Sequence, residues 1–155
     1  MLVHIRANSD QEVDFTVFLS IRNQIAGTVT SVATGEAMAA VAVRLDGGQD
    51  VTAAVTRDAV DDLGLAPGSP VRVLVKSTEV ALATGPVGTL SIRNRIPGTV
   101  SAVSSGAAMA VVRVAVAGAE LTAAITRTAA DELGLTEGTE VTALIKSTEL
   151  SLATV

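Results

Sequence analysis

Leu19-Ser20-Ile21-Arg22-Asn23 returns 71 residues later as Leu90-Ser91-Ile92-Arg93-Asn94. Thr52-Ala53-Ala54-Val55-Thr56-Arg57 returns at a shift of 70 as Thr122-Ala123-Ala124-Ile125-Thr126-Arg127. At the same shift, Lys76-Ser77-Thr78-Glu79 becomes Lys146-Ser147-Thr148-Glu149. Segments 20–43 and 91–114 share 15 identities, and 51–84 and 121–154 share 20, so the chain is a tandem duplication. The change of shift places a one-residue deletion between Met109 and Thr122, near the Gly47-Gly48 turn of the first copy. The repeat divides the chain into an N-terminal extension at 1–18, a first domain at 19–84, a linker at 85–89 and a second domain at 90–155.

Each copy carries the same signals. Ile25–Val32, Ala39–Leu45 and Asp50–Thr56 are β-rich runs separated by turn residues at Gly35 and Gly47-Gly48. A short helix is expected at about Asp58–Leu63, with Asp58 as N-cap and Asp61 three residues on; Thr128 and Asp131 repeat that spacing. Gly64 and Gly134 stand where a helix end needs a left-handed residue. Pro67-Gly68, or Glu137-Gly138 in the second copy, then turns the chain into a last strand at Val71–Val75. Many short strands and one short helix per copy predict an all-β fold with short helices, namely two tandem OB-like β-barrels.

Composition narrows the function. Hydrophobic residues make up 48% of the 155, but Ala and Val dominate them and aromatics are only 1%. Each copy alone is near the size at which one core is marginal, so the halves are expected to bury apolar surface against each other or against other chains. With no cysteine, disulfides and thiolate metal sites are excluded. His4 is the only histidine, and one histidine does not make a metal site, so no free metal cation is expected. The N-terminus lacks the basic start and apolar run of a signal peptide, and the longest uncharged stretch, 96–112, is broken by Pro97, Gly98 and Gly106. The expectation is a soluble, cytoplasmic protein without a membrane partner.

A formal charge of -5 argues against nucleic acid, whose affinity rests on neutralised phosphates. The only aromatics are Phe15 and Phe18, too few for a base-stacking OB module. Enzymatic function is not expected either. No histidine recurs, no carboxylate pair sits among apolar neighbours, and Lys76 beside Ser77 is poor geometry for a serine–lysine dyad.

Ser-x-Arg-Asn opening a domain, Thr-Ala-x-x-Thr before a Leu-Gly-Leu helix end, and Lys-Ser-Thr-Glu closing it resemble the molybdate-binding Mop domain, related to TOBE domains. The resemblance covers about 20–84 and 91–154, and the tandem pair is similar to the two-domain molbindins. It implies binding of molybdate or tungstate for intracellular storage, buffering or homeostasis, with no organic cofactor. It further implies a homo-oligomer, a trimer for a two-domain chain, with oxyanions at contacts between domains. A sensor or interaction module of a transport or regulatory system is the alternative. On the first helical turn, where the family commonly carries serine, this chain has Ala59 and Ala129.

A tetrahedral dianion needs convergent donors: hydroxyls and backbone N–H groups for direction, and Lys or Arg for charge. Ser20, Ile21 and Arg22 could present a hydroxyl and successive N–H groups as an anion nest. Lys76 and Ser77 add an ammonium and a hydroxyl, provided that the last strand bends or ends there, because adjacent strand residues point to opposite faces. Ser91, Ile92, Arg93, Lys146 and Ser147 offer the same groups in the second copy. Thr56 and Thr126 read either as ligand contacts or as residues bonding the helix start. Each group also has a plainer reading. Arg22 and Arg93 could pair with carboxylates, Lys76 and Lys146 could be solvated, and Ser20 and Ser91 could form turns. Asn23 and Asn94 read as backbone-bracing or turn residues, and Met38 and Met109 as core.

Residues 1–18 have no counterpart preceding the second copy by the same pattern. Val3-His4-Ile5-Arg6 alternates like a strand, and Arg6 precedes Ser20 by 14 residues, much as Lys76 precedes Ser91 by 15. The segment could therefore mimic a preceding domain's last strand, or be a frayed terminus or an added strand.

Overall fold

The computed structural model describes residues 19–155 throughout, and residues 2–7 and 11–16 as two paired strands. Those strands, β1 (Leu2–Ala7) and β2 (Gln11–Thr16), form an antiparallel hairpin in register Val3↔Phe15 and Ile5↔Val13. The surroundings of His4, Phe15 and Phe18 lie outside the described residues.

The first copy contributes β3 (Asn23–Thr34), β4 (Met38–Leu45), β5 (Asp50–Thr56), helix α1 (Arg57–Leu63) and β6 (Pro70–Val75). A single 3₁₀ turn at Ser77–Glu79 and a short strand, β7 (Ala81–Ala83), follow. The second copy repeats the plan as β8 (Asn94–Ser105), β9 (Met109–Val116), β10 (Ala119–Thr126), α2 (Arg127–Glu132), β11 (Glu140–Ile145), a 3₁₀ turn at Ser147–Glu149 and β12 (Ser151–Thr154). The result is two five-stranded antiparallel sheets, the OB-like half-barrels that the strand pattern predicts.

Alternation builds each core. Ala39, Val41, Val43 and Leu45 of β4 are buried while Ala40 and Arg44 between them are exposed; Ala110, Val112 and Val114 of β9 repeat the pattern. The long strand of each half slips register once, between Val29 and Ser31 in β3 and between Val100 and Ala102 in β8. Such a bulge adds twist and lets a sheet curl round a small core. The curl suits the residues inside it, since most are Val and Ala.

Two features depart from a simple reading of the repeat. Strands are exchanged between halves. β7, which follows the first copy's 3₁₀ turn, pairs with β11 of the second sheet in register Ala143↔Leu82, while β12 pairs with β6 of the first in register Leu152↔Val73. The edge position beside β6 on the first sheet thus belongs to β12. Helix capping differs as well. Thr56 and Thr126, not Asp58 and Thr128, are the N-caps: their hydroxyls accept from the amides of Ala59 and Ala129, each at 3.1 Å. Both threonines end a strand with extended backbone, so their hydroxyls lie over the first turn before Asp58 or Thr128 is reached. Gly64 at φ 62° and Gly134 at φ 63° do take the left-handed conformation expected of them.

The buried apolar residues of both halves form one continuous cluster. Met38 and Met109 are outside it. Both are exposed, at 49% and 46%, which corrects their reading as core. They begin β4 and β9 in the outward-facing phase of the alternation.

Candidate functional site

Register fixes where the repeated segments meet. β3 and β6 pair as far as Asn23↔Val75, and β8 and β11 as far as Asn94↔Ile145. One residue beyond those pairs, Arg22 leaves its strand beside Lys76, and Arg93 leaves beside Lys146. Both β6 and β11 end there, and the chain turns at once into the 3₁₀ turns Ser77–Glu79 and Ser147–Glu149. The bend that would let a lysine and the following serine share one ligand is therefore present twice.

Each junction lies against the other half. The turn at Ser77–Glu79 packs on β10, and that at Ser147–Glu149 packs on β5. Asn23 and Asn94 hold this arrangement. The Asn23 amide donates to the Thr122 carbonyl at 2.8 Å, and its oxygen accepts from the Thr122 N–H at 2.7 Å. Asn94 does the same to Thr52, at 2.9 and 2.8 Å. β5 and β10 are edge strands, so each asparagine side chain stands in for a neighbouring strand's peptide. Among the described residues, these are the only buried polar ones, at 2% and 1% exposure. The bracing role expected for them is seen, with the opposite half as the partner.

The proposed donors differ in exposure. Ser20, Arg22, Lys76, Ser91, Arg93 and Lys146 are exposed; Ile21, Ser77, Ile92 and Ser147 are half-buried. Among the described residues, the ion pairs are Arg44–Asp50, Arg113–Glu120 and Arg127–Asp131, so Arg22, Arg93, Lys76 and Lys146 are in none of them. The Ser77 hydroxyl is shielded from solvent and has no hydrogen-bond partner. A buried hydroxyl in that state costs roughly 1–3 kcal/mol unless a ligand or water satisfies it. Among the described residues, the amides of 20–22 and 91–93 donate to no backbone carbonyl. Thr56 and Thr126 use their oxygens on the helix start, which leaves each hydroxyl hydrogen free to donate elsewhere.

An open groove of about 450 Å³ draws several of these groups together: Ile92, Thr126 and Lys146, with Thr78, Glu79 and Glu149 from the two 3₁₀ turns. Two carboxylates beside one lysine leave this groove without a uniformly positive field. Lys146 and Ile92 of the second junction lie on the wall of this groove. Ala59 lines a second groove with Val55, Leu63 and Leu65, where Thr56, Thr148 and Ser151 supply hydroxyls and Ala59 supplies none.

Sequence reading overlooked the residues that brace the Ser-x-Arg segments. Gln24 donates to the Ile21 carbonyl at 3.0 Å. Its counterpart Arg95 donates to the carbonyls of Ile92 at 3.3 Å, Gly88 at 2.7 Å and Leu90 at 3.4 Å. The signal was concealed because the two positions differ between copies, and only identities stand out in a repeat.

Comparison with known proteins agrees with this architecture. The TOBE domain model matches residues 19–82 and again 90–152. Molybdenum-pterin-binding protein MopB of Rhodobacter capsulatus is 43% identical over 136 residues, which is 86% of this chain and 50% of MopB. This chain spans about half the length of the longer relatives it matches. Molybdenum-pterin-binding protein 3 of Clostridium pasteurianum is 36% identical over 64 residues, 41% of this chain and 94% of that protein. Among solved structures, the cytoplasmic molybdate-binding protein ModG, crystallised with molybdate bound, superposes with a TM-score of 0.87 at 37% identity, covering 90% of this chain and all of ModG. Two matched domains, the superposition on ModG and these identities lead to one conclusion: the chain belongs to the TOBE-domain family, as a tandem pair of the Mop type.

Proposed function

We propose that this protein binds molybdate or tungstate in the cytoplasm, as a non-catalytic store or buffer, at the junctions of Ser20-Ile21-Arg22 with Lys76-Ser77 and of Ser91-Ile92-Arg93 with Lys146-Ser147. The observation that carries the reading is the register Asn23↔Val75 and Asn94↔Ile145, which brings each Ser-x-Arg segment next to the strand end followed by a lysine and a serine. The buried Ser77 hydroxyl without a partner supports it, since an oxyanion supplies the missing acceptor. So does the identity with ModG, a molybdate-binding protein of the same two-domain plan.

The chemistry follows from the donor set. An oxyanion accepts hydrogen bonds and donates none, so N–H groups, hydroxyls, guanidinium and ammonium suit every one of its oxygens. Homo-oligomeric assembly, as a trimer, would add donors from neighbouring chains to sites that are half-open in one chain.

Calorimetric titration of the dialysed protein with molybdate, with sulfate as control and native mass recorded alongside, tests the proposal. Saturable binding of at least one molybdate per chain, a weak sulfate response and a trimeric mass are expected. Absence of heat with molybdate would overturn it. Lys76→Ala and Lys146→Ala should each weaken binding without lowering the unfolding midpoint; unchanged binding in both would refute the assignment of those lysines.

A further inference from the structure

The outer face of the first sheet holds two unsatisfied polar atoms close together. Gln24 Oε1 is an acceptor with no partner, and Arg72 Nε is a donor with no partner; both are shielded from solvent. They sit on adjacent strands. Gln24 of β3 faces Leu74 of β6, and Arg72 is two residues along, opposite Ala26, so the pair lies on one face at a cross-strand diagonal. An adjacent buried donor and acceptor can be satisfied together by the C=O and N–H of an extended peptide.

The second half shows what occupies the equivalent place. There the corresponding residues are Arg95 and Thr142, in the same diagonal register. Each half therefore keeps one guanidinium on this face, moved from one strand to the next. Arg95 uses its three nitrogens on the carbonyls of Gly88, Leu90 and Ile92, the segment that leads into the second half. The segment that leads into the first half is the one containing the β1–β2 hairpin. Six residues separate Thr16 from Asn23, a reach of at most about 25 Å over the seven steps, ample for the outer face of β3 and β6.

We infer that Arg72 is the counterpart of the Arg95 clamp, and that Arg72 and Gln24 dock the chain's own N-terminal segment, residues 2–18, on the outer face of the first sheet. The hairpin's composition suits this role. Its sequence alternates apolar residues (Val3, Ile5, Val13 and Phe15) with polar ones (His4, Arg6, Glu12 and Asp14). A two-stranded hairpin is marginal in water and needs a surface for its apolar face. Asp10, Glu12 and Asp14 against Arg6 make the segment acidic, complementary to a guanidinium. A docked segment would make the two halves unlike at the approach to Ser20. This inference does not depend on oxyanion binding.

Hydrogen exchange of the full chain, read by mass spectrometry on peptides covering 2–16, tests it. Arg72→Glu should speed exchange there at least tenfold and leave 19–155 unchanged. Arg72→Gln, which keeps the polar stem, should give a smaller increase and serves if the glutamate variant does not fold. Arg95→Glu should instead loosen 85–92 and spare 2–16. Protection of 2–16 should be the same across a hundredfold range of protein concentration. Unchanged exchange in both Arg72 variants would overturn the inference. Protection that grows with concentration would overturn it too, by assigning the docking to a second copy.

Discussion

The first and second halves agree in some places and differ in others. Ladder register, bulge position, threonine cap and asparagine brace are the same in both. They differ at the turn between the second and third strands of each copy (β4–β5 and β9–β10), in the segment that leads in, and in which strand carries the outer guanidinium. The shared features are the ones that close a small barrel of Val and Ala against its twin. The differing ones all lie where one half meets the other or the chain that precedes it. Equal substitutions at shared positions should therefore have equal effects, and at differing positions unequal ones.

The asparagine braces should give the largest effect. Asn23→Ala leaves the N–H and C=O of Thr122 without partners in a part-buried edge, and Asn94→Ala does the same to Thr52. At roughly 1–3 kcal/mol for each orphaned group, either variant should lose about 2–5 kcal/mol in urea unfolding. A loss below 1 kcal/mol in both would mean that the braces are incidental to the pairing of halves.

The unlike turns come next. A Cβ on Gly47 would overlap the Ala117 carbonyl oxygen, and Gln49 donates to that same carbonyl at 2.9 Å. The shorter turn at Ala117-Gly118 leaves room for this approach. Gly47→Ala should cost about 1–3 kcal/mol by overpacking, while Gly35→Ala, which meets only the Met38 carbonyl at 3.2 Å, should cost less. Equal losses at the two glycines would contradict the contact between turns.

Capping gives a smaller, symmetric effect. Thr56→Ala and Thr126→Ala should each cost about 1 kcal/mol, and Asp58→Ala distinctly less. Thermal unfolding of the three variants checks the order, and an Asp58 loss larger than the Thr56 loss would restore the aspartate as cap.

Smallest of all is the outer ion pair, again unequal between halves. Arg44 meets Asp50 through two hydrogen bonds at 3.0 and 3.2 Å, whereas Arg113 only approaches Glu120 at 4.0 Å. The hydrogen bond from Arg44, with its charge, holds the Asp50 carboxyl below its ordinary value. Its contribution is complete above the ordinary carboxylate range and is lost as pH falls through the lowered value. Both groups are fully exposed, so Arg44→Ala should shift the unfolding midpoint only slightly at neutral pH and not at all in strong acid. A larger shift in acid than at neutral pH would contradict that sign.

Much of the fold was legible because duplication writes each element twice. Ala39–Leu45 and Asp50–Thr56 alternate cleanly, and Gly64 and Gly134 mark helix ends. Strand exchange was not legible for the same reason. Val-Ala-Leu-Ala after the first 3₁₀ turn and Leu-Ser-Leu-Ala after the second fit either sheet equally well, so no local pattern selects the donor. The Asp58 cap failed because Thr56 and Asp58 are both good cappers, and only the end of β5 decides between them. Of the candidate site, the lysine and serine at a strand end could be read, but not the half against which they sit. That contact runs from Ser77–Glu79 to β10, far along the chain.

Anomalous diffraction at the molybdenum edge, from crystals of the protein grown with molybdate, tests the central claim most directly. The account predicts peaks within hydrogen-bonding reach of Ser77 and Lys76 beside Ser20–Arg22, and of Ser147 and Lys146 beside Ser91–Arg93. Ordered molybdate found only elsewhere, with both junctions empty, would contradict it.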